Sequence, residues 1–269
     1  MTACGIGQTN SGSSGGSGSS DPHVTLRLGD YLAGSDPWTK WAQELSKKVA
    51  ADTSGAVQIT VYPDAQLVSQ SGYLQAIRSG SVDLSVAGDS ELATVNSDAA
   101  GLAVSDVPFR DANWQQADAI TLSSDVRDAQ NQALRSAGVH ILSTCTEGFS
   151  ALVTNSPVSS LSQLKGMKIR VAAPADADIM KSLGANPVQI AIGDTYEALQ
   201  LHTAAGAFST TANIYGQQWY KVTKNVDLLP IRMANESLVI NSNSLSRLSA
   251  HEQQVLEKDS ADATQGCDD

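Results

Sequence analysis

The sequence predicts an α/β protein made of two units, each with its own strands and helices. Strands and helices alternate along the amino-terminal part of the chain, and a second α/β pattern begins near Ser150. The chain has 269 residues, of which 41% are hydrophobic, so it is long and apolar enough to bury two cores of ordinary size.

Five elements in order define the first unit. Their expected bounds are a strand Val24–Gly29, a helix Pro37 to about Asp52, a strand Val57–Tyr62, a helix Gln70–Ser79 and a strand Val82–Ala87. Asp36 is a favourable N-cap for the first helix, Pro37 suits its first turn, and Gly55 ends it. Strands that alternate with helices in this way predict a parallel sheet.

The carboxyl ends of these strands mark where a ligand is expected. In open α/β sheets, ligands bind in the crevice beyond the carboxyl ends of the strands. Here those ends lead to the segments around Asp30, Gln70 and residues 88–91.

The second unit follows a long helix and a connecting strand. The helix is predicted over Asn113–Ser136 and the strand over Val139–Ser143. The unit is then expected to contain the segment Ser150–Thr154, a strand Met167–Val171, a helix Pro174–Leu183 and a helix that begins at Asp194, and to end near Asn235. Asp194 is expected to cap its helix together with Glu197.

The end of the chain is predicted to return to the first unit. Glu236–Asn241 has the pattern of a strand. Ser249 and Glu252 have the spacing of a capping box, which predicts a terminal helix.

Charge and cysteine content narrow the function classes. The formal net charge is −11, which disfavours binding to nucleic acid or to an anionic membrane, since both need clustered Lys and Arg. The cysteines Cys4, Cys145 and Cys267 are too few and too scattered for a disulfide framework or a zinc site, so we expect the core to hold by packing. No cluster argues for a metal or a cofactor.

The amino terminus is similar to the end of a bacterial lipoprotein signal. Small residues precede Cys4, the position that would receive lipid. Residues 8–20 are a Gly/Ser stretch that behaves as a flexible coil, as expected of a tether or of an engineered linker. We therefore expect residues 1–23 to be a signal remnant and a tether, on a protein outside the cytoplasm.

Several motifs in order resemble one family. From Lys165 the chain reads KGMKIRVAAPADADIMKSLGANPVQIAIGDTYEALQ, and VQITVYPDAQL, DVPF and LVINSNSLSRLSAHEQQ stand in matching positions around it. This combination resembles the solute-binding proteins of tripartite ATP-independent periplasmic (TRAP) transporters, of the DctP type, over roughly residues 24–262.

The resemblance implies a two-lobed, periplasmic-binding-protein-like fold with the ligand enclosed between the lobes. Lobe I is expected to span residues 24–147, with 236–269 returning to it, and lobe II residues 148–235. The family members close about a hinge and deliver a small organic acid to integral membrane subunits of the transporter.

The family's carboxylate-binding arginine corresponds to Arg170. A guanidinium presents two parallel N–H donors that match the two oxygens of a carboxylate. Other pocket positions depart from the family pattern. Ser150 stands where many members have a second arginine, Ser209 replaces a pocket asparagine, Ile192 a common phenylalanine and Gln70 a common acidic residue.

These departures favour a monocarboxylate or a zwitterion over a dianion. Asp89, Glu91 and Glu147 place acids near the crevice, where one of them is expected to face a cationic or hydroxyl group of the ligand; they could also simply face solvent. Asn213 and Trp38 complete the candidate ligand-binding residues, Trp38 as an aromatic wall.

An enzyme is disfavoured. Covalent catalysis would need a nucleophile with a base, for which the chain offers Cys145 and four histidines. None of them lies in a sequence motif that would activate it. Two alternatives stay open beside the transport receptor. One is a sensor that hands its liganded form to a membrane kinase, and the other is a degenerate or truncated family member without binding.

Overall fold

One continuous eight-stranded sheet runs through the protein. The computed structural model describes residues 23–108 and 113–264. The strands are β1 Val24–Gly29, β2 Val57–Tyr62, β3 Leu84–Gly88, β4 Val139–Thr154, β5 Lys168–Val171, β6 Asn186–Gln189, β7 Gly206–Thr210 and β8 Asn225–Asn241. Their order across the sheet is β2-β1-β3-β8-β4-β7-β5-β6.

The two central strands cross from one half of the molecule to the other. β4 and β8 pair antiparallel from Val139 opposite Asn241 to Thr154 opposite Asn225, with three register shifts along the way. β1 pairs parallel with β2 and β3 in the first lobe, and β5 pairs parallel with β6 and β7 in the second. The molecule is therefore two α/β lobes joined by crossing strands, as the resemblance implied.

Helices cover both lobes. Their bounds are α1 Pro37–Asp52, α2 Tyr73–Ser79, α3 Asp89–Leu92, α4 Trp114–Thr121, α5 Ser124–Leu134, α6 Pro174–Ser182, α7 Ile192–Gln200, α8 Thr211–Gly216, α9 Ser242–Ser246 and α10 Ala250–Thr264. Short 3-10 turns stand at Asp98–Asp106, Arg135–Ala137, Leu161–Leu164 and Trp219–Lys221.

Each lobe has an apolar core of its own beneath these helices. In the first lobe, Leu26 and Leu28 of β1 pack with Leu45 of α1 and with Leu256 of the terminal helix. In the second, the core is formed by Leu152, Ile169, Met180 and Phe208. A third cluster, which includes Tyr31 and Trp219, lies between them around the crossing strands. Burial of these side chains stabilises each lobe by roughly 1.5–3 kcal/mol per large residue.

Local signals were sufficient for the first lobe. β1, α1 and β2 have the predicted bounds, and Asp36 accepts the N–H of Trp38 at 3.0 Å as the cap of α1. Gly55 has a φ of +83°, a conformation that favours glycine and ends the helix. The capping box is also confirmed, because Ser249 Oγ accepts the N–H of Glu252 while the Glu252 carboxylate accepts that of Ser249.

Three predictions were wrong in detail. The helix expected over 113–136 is broken, because Ser123 is extended and starts a new helix, α5. The two strand pieces at 139–143 and 150–154 are one strand, β4, and the strand expected at 236–241 begins at Asn225. Polar residues interrupt the apolar pattern of both strands, so their full length could not be predicted from the sequence. In the structure these polar residues pair across the two strands: the hydroxyls of Thr144 and Ser237 lie 2.8 Å apart.

The helix expected to begin at Asp194 begins at Ile192. No side chain of α7 caps it locally. Instead the Gln70 side-chain oxygen, from the other lobe, accepts the N–H of Ile192 at 2.8 Å. A tertiary contact thus satisfies a helix-terminal donor that local capping rules assigned to Asp194.

Packing is not the only support of the fold, since Cys145 is disulfide-bonded. This corrects the expectation of a core held by packing alone.

Within the described parts of the chain, no helix combines the length and apolarity needed to cross a bilayer. We propose that the lobes divide at 147/148 on β4 and at 235/236 on β8, the points at which the crossing strands pass from one lobe to the other.

Candidate ligand-binding site

A cavity of about 50 Å³ lies between the lobes. Gln70 and Glu91 line it from the first lobe, and Arg170 and Ile192 from the second. Among the described residues, its charged lining consists of two guanidinium groups, Arg170 and Arg232, and five carboxyl groups, Asp89, Glu91, Glu147, Asp176 and Glu236. Such a set of charges in an enclosed space can recognise both a carboxylate and a cationic group of one small ligand.

Arg170 is held with its hydrogen-bonding capacity largely unused. It lies fully buried on β5, its Nε donates to the carbonyl oxygen of Ile190 at 2.9 Å, and its guanidinium lies 5.4 Å from the ring centroid of Trp219. Its two terminal nitrogens have no hydrogen-bond partner among the described residues. Burial lowers the pKa of Arg170 to about 10 although Asp176 and Glu91 favour the charged form, so the group remains a cation at neutral pH.

Arg232 is a second buried guanidinium that the sequence interpretation missed. It comes from β8, and Nε and one terminal nitrogen donate to the same oxygen of Asp176 at 2.9 and 2.5 Å. The guanidinium also lies over the ring of Phe208, 5.7 Å from its centroid. The signal for this residue is an arginine at the start of a stretch that is buried in the structure. It becomes recognisable only when residues 225–241 are known to form one strand.

Ser150, which stands where the resemblance implied a second arginine, is not part of the cavity lining. Its hydroxyl donates to the carbonyl oxygen of Leu229 at 2.5 Å and accepts the N–H of Arg232 at 3.4 Å, so it fastens β8 to β4 and does not line the cavity. Arg232, on the neighbouring strand, lines the cavity instead.

The carboxyl group of Glu91 accepts three hydrogen bonds. It accepts hydrogen bonds from Gln70 at 3.1 Å, from the N–H of Gly88 at 3.1 Å and from the hydroxyl of Tyr73 at 3.3 Å. Burial raises the pKa of Glu91 to about 7 against the effect of these bonds and of Arg170. Gln70 joins this carboxyl to the start of α7, so it connects the two lobes at the cavity wall.

Glu147 and Glu236 face the cavity from the two crossing strands. Glu147 stands in a register shift of β4 between Thr146 and Gly148, which turns its side chain toward the cavity. Burial, together with the charge of Asp36, raises the pKa of Glu147 to about 8, and burial beside Glu147 raises the pKa of Glu236 well above its ordinary value.

The remaining predicted residues fall into two groups. Those that line the cavity are Asp89, Ile192, Ser209 and Asn213, beside Gln70, Glu91, Glu147 and Arg170. Asp89 accepts from the side chains of Asn235 at 3.1 Å and Ser237 at 3.4 Å. Trp38 is not at the cavity: it is buried in the central core with its ring edge-on to that of Trp41. Cys4 lies outside the described residues.

The lobes touch each other around the cavity. The Gln217 side chain donates to Asp36 at 3.0 Å, and the hydroxyl of Ser35 donates to the carbonyl oxygen of Gly216 at 3.3 Å. At Gly216 a Cβ atom would lie only 2.4 Å from a carboxylate oxygen of Asp36, so only glycine allows this approach. These contacts join residues of different lobes, so the two lobes lie against each other in this structure.

Metal binding has no support in the part of the chain that the structure describes. Over residues 23–108 and 113–264, no three His, Cys, Asp or Glu side chains are placed to hold an ion together. The acids of the cavity instead bind amide, hydroxyl and guanidinium donors.

Comparison with known proteins places this arrangement in a family. The profile described as "Bacterial extracellular solute-binding protein, family 7", DctP, matches residues 28–267. The chain is 30% identical over 228 residues to the uncharacterized protein y4mM of Sinorhizobium fredii, which covers 84% of this chain and 41% of that protein. It is 26% identical over 235 residues to the 2,3-diketo-L-gulonate-binding periplasmic protein YiaO of Escherichia coli, which covers 86% of this chain and 70% of that one.

A solved structure agrees in fold. The TRAP periplasmic solute-binding protein of Xanthobacter autotrophicus with bound β-D-galacturonate superposes with a TM-score of 0.84 at 24% identity, over 90% of this chain and 80% of that one. Together with the family match, the two lobes and the buried arginine between them, this shows that the chain belongs to the DctP-type family of TRAP solute-binding proteins, which are binding proteins and not a family of enzymes.

Proposed function

We propose that this protein captures a small organic acid, a monocarboxylate or a zwitterion, between its lobes and delivers it to the membrane subunits of a TRAP transporter. One observation carries the proposal. Arg170 lines the cavity between the lobes with two fully buried terminal nitrogens that no described residue satisfies. A buried donor without a partner is destabilising by about 1–3 kcal/mol, so it persists where a ligand supplies the missing acceptor.

The other charges of the cavity support one carboxylate rather than two. Arg232, the second guanidinium, already binds Asp176, and three glutamates face the same space. Among the described residues, no further cation lines the cavity to pair with a second ligand carboxylate. The relatives are divided on this point. Diketogulonate and galacturonate, named for YiaO and for the Xanthobacter structure, each carry a single carboxylate, whereas other relatives are named for C4-dicarboxylates.

Ligand-induced thermal stabilisation tests the proposal. The purified protein is screened against monocarboxylates, zwitterions and dicarboxylates, and an increase in Tm identifies ligands that bind the native state. The hit is expected to disappear in Arg170→Ala and to persist in Arg78→Ala, a control at an exposed arginine. A hit of equal size in Arg170→Ala would rule out Arg170 as the anchor.

We also propose that the protein works outside the cytoplasm, held to the membrane by lipid at Cys4. The small residues before Cys4 and the Gly/Ser stretch after it support this. Expression of the full chain behind a lipoprotein signal is expected to place it in the membrane fraction, and Cys4→Ser is expected to release it. A Cys4→Ser protein that stays with the membrane would contradict lipid attachment.

A further inference from the structure

The five carboxyl groups of the cavity differ in what already binds them. Asp176 forms the ion pair with Arg232, and Asp89 accepts from Asn235 and Ser237. Glu91 accepts three hydrogen bonds, as described above. These three acids therefore have their donors within the protein.

Glu147 and Glu236 are less well satisfied by the described residues. Glu236 accepts one hydrogen bond, from the hydroxyl of Tyr31 at 2.8 Å, and its second oxygen accepts none from the described residues. Glu147 accepts only long contacts, from Asn213 at 3.3 and 3.5 Å and from Thr210 at 3.5 Å, the upper limit for a hydrogen bond. Both side chains are nevertheless buried, with exposures of 9% for Glu147 and 6% for Glu236.

Two poorly satisfied acids and one unsatisfied guanidinium thus face a single closed space. Arg170 is fully buried and its terminal nitrogens lack acceptors among the described residues, whereas Glu236 has one donor for its two oxygens and Glu147 has only long contacts. The three groups line the same cavity, but no hydrogen bond joins any of them to another. A ligand with an anionic end and a cationic end would satisfy all of them at once.

We propose that Glu147 and Glu236 form the cation-binding end of the site, so that the ligand is a small amino-group zwitterion with its carboxylate on Arg170 and its ammonium between the two glutamates. This rests on the proposed function and makes it narrower, because a simple hydroxy acid offers the two carboxyls no cationic group. The cavity between the lobes is small, which suits a small ligand.

Binding of a cation should also release protons. The charged or titratable groups facing the two glutamates are Asp30, Tyr31, Asp36, Glu91 and Arg232. Most of these are acids, and with burial they raise the pKa of Glu147 to about 8, so the ligand-free pair holds protons at neutral pH. An ammonium between the carboxylates favours their ionised forms, and the protons leave to the buffer.

The experiment compares amino acids with hydroxy acids of the same shape. Isothermal titration at pH 7.5 uses L-alanine against L-lactate, β-alanine against 3-hydroxypropionate, and 4-aminobutyrate against 4-hydroxybutyrate. In at least one pair the amino member is expected to bind about tenfold tighter or more, the effect of charge-assisted hydrogen bonds to ionised acceptors. Titration of that amino member in two buffers of different ionisation enthalpy is expected to reveal proton release.

Isosteric variants test whether Glu147 and Glu236 cause the preference for amino acids over hydroxy acids. Glu147→Gln and Glu236→Gln are each expected to reduce the amino-over-hydroxy preference to about threefold or less while hydroxy-acid binding persists. Glu197→Gln, at an exposed glutamate on α7, is the matched control and should leave the preference unchanged. Thermal unfolding of each variant checks that it is folded.

The possible failures are distinguishable. Hydroxy acids that bind as tightly as their amino partners, with binding lost in Arg170→Ala, would overturn the zwitterion inference and leave the proposed function standing. An amino-acid preference that survives both glutamine variants would overturn the assignment of the cation-binding end. No binding by any of the six compounds would overturn the inference and the proposed capture of a small monocarboxylate or zwitterion together.

Discussion

Arg232 on β8 donates two hydrogen bonds to a single oxygen of Asp176 on α6, at 2.9 and 2.5 Å, at the wall of the ligand cavity. Both side chains are buried, so water screens their interaction little. The pair places a guanidinium at the cavity while a fixed carboxylate neutralises it. A fixed carboxylate of the protein therefore already pairs with one of the two arginines that line the cavity among the described residues.

Asp176→Asn is therefore expected to shift specificity toward dicarboxylates. The net charge of the cavity becomes more positive by one, and succinate or L-malate should bind about tenfold tighter, as measured by titration calorimetry. Stability should fall by about 3–5 kcal/mol, because one partner of a buried ion pair is removed. Asp178→Asn, on the same helix with an 81% exposed side chain, should change neither property. Unchanged dicarboxylate affinity in Asp176→Asn would contradict the neutralising role.

Arg170→Met is expected to stabilise the ligand-free protein while it abolishes ligand binding. Methionine fills much of the space of arginine and removes two buried donors without partners, at the loss of one hydrogen bond to Ile190. The expected gain is about 1–3 kcal/mol in the free energy of unfolding, measured by denaturant titration. Arg78→Met, at an exposed position, should stay within about 0.5 kcal/mol of the parent protein. A destabilised Arg170→Met would mean that the guanidinium is a structural group.

The ligand-free protein is expected to lose stability as pH rises from about 5 to about 8. The pKa of Glu147 is about 8 in the folded protein against an ordinary value of 4.5, so the native state holds a proton that the unfolded state releases over this interval. Each such proton lowers the free energy of unfolding by about 1.4 kcal/mol per pH unit. Glu147→Gln should therefore flatten the dependence of Tm on pH, and Glu197→Gln should not. A Tm that increases between pH 6 and pH 8 would contradict the raised pKa.

Gly216→Ala is expected to weaken ligand binding without unfolding the protein. The added Cβ would lie 2.4 Å from a carboxylate oxygen of Asp36, so the lobes could not approach as closely as they do here. We expect a loss of about tenfold or more in affinity, measured by titration, because the cavity would not close over the ligand. Gly193→Ala is the control, since a Cβ there meets nothing within 4 Å. Equal affinity in both variants would show that full closure is not needed for binding.

Local patterns were sufficient where the partners of a residue lie close in sequence. The cap at Asp36, the turn at Gly55 and the box at Ser249 each involve residues within about one helical turn, so their geometry follows from the residue types. Where the partner is distant, local rules failed. The start of α7 depends on Gln70, which is 122 residues away in the chain from Ile192.

The same distinction runs through the candidate site. The sequence by itself determined the family, the two α/β lobes and Arg170, because these depend on motifs whose residues are neighbours along the chain. The tertiary structure alone decided what surrounds that arginine: Arg232 from the crossing strand and Glu236, whose hydrogen bond from Tyr31 spans 205 residues. A cavity between lobes is built by the packing of distant elements, and the balance of charge within it follows from that packing and not from any single segment.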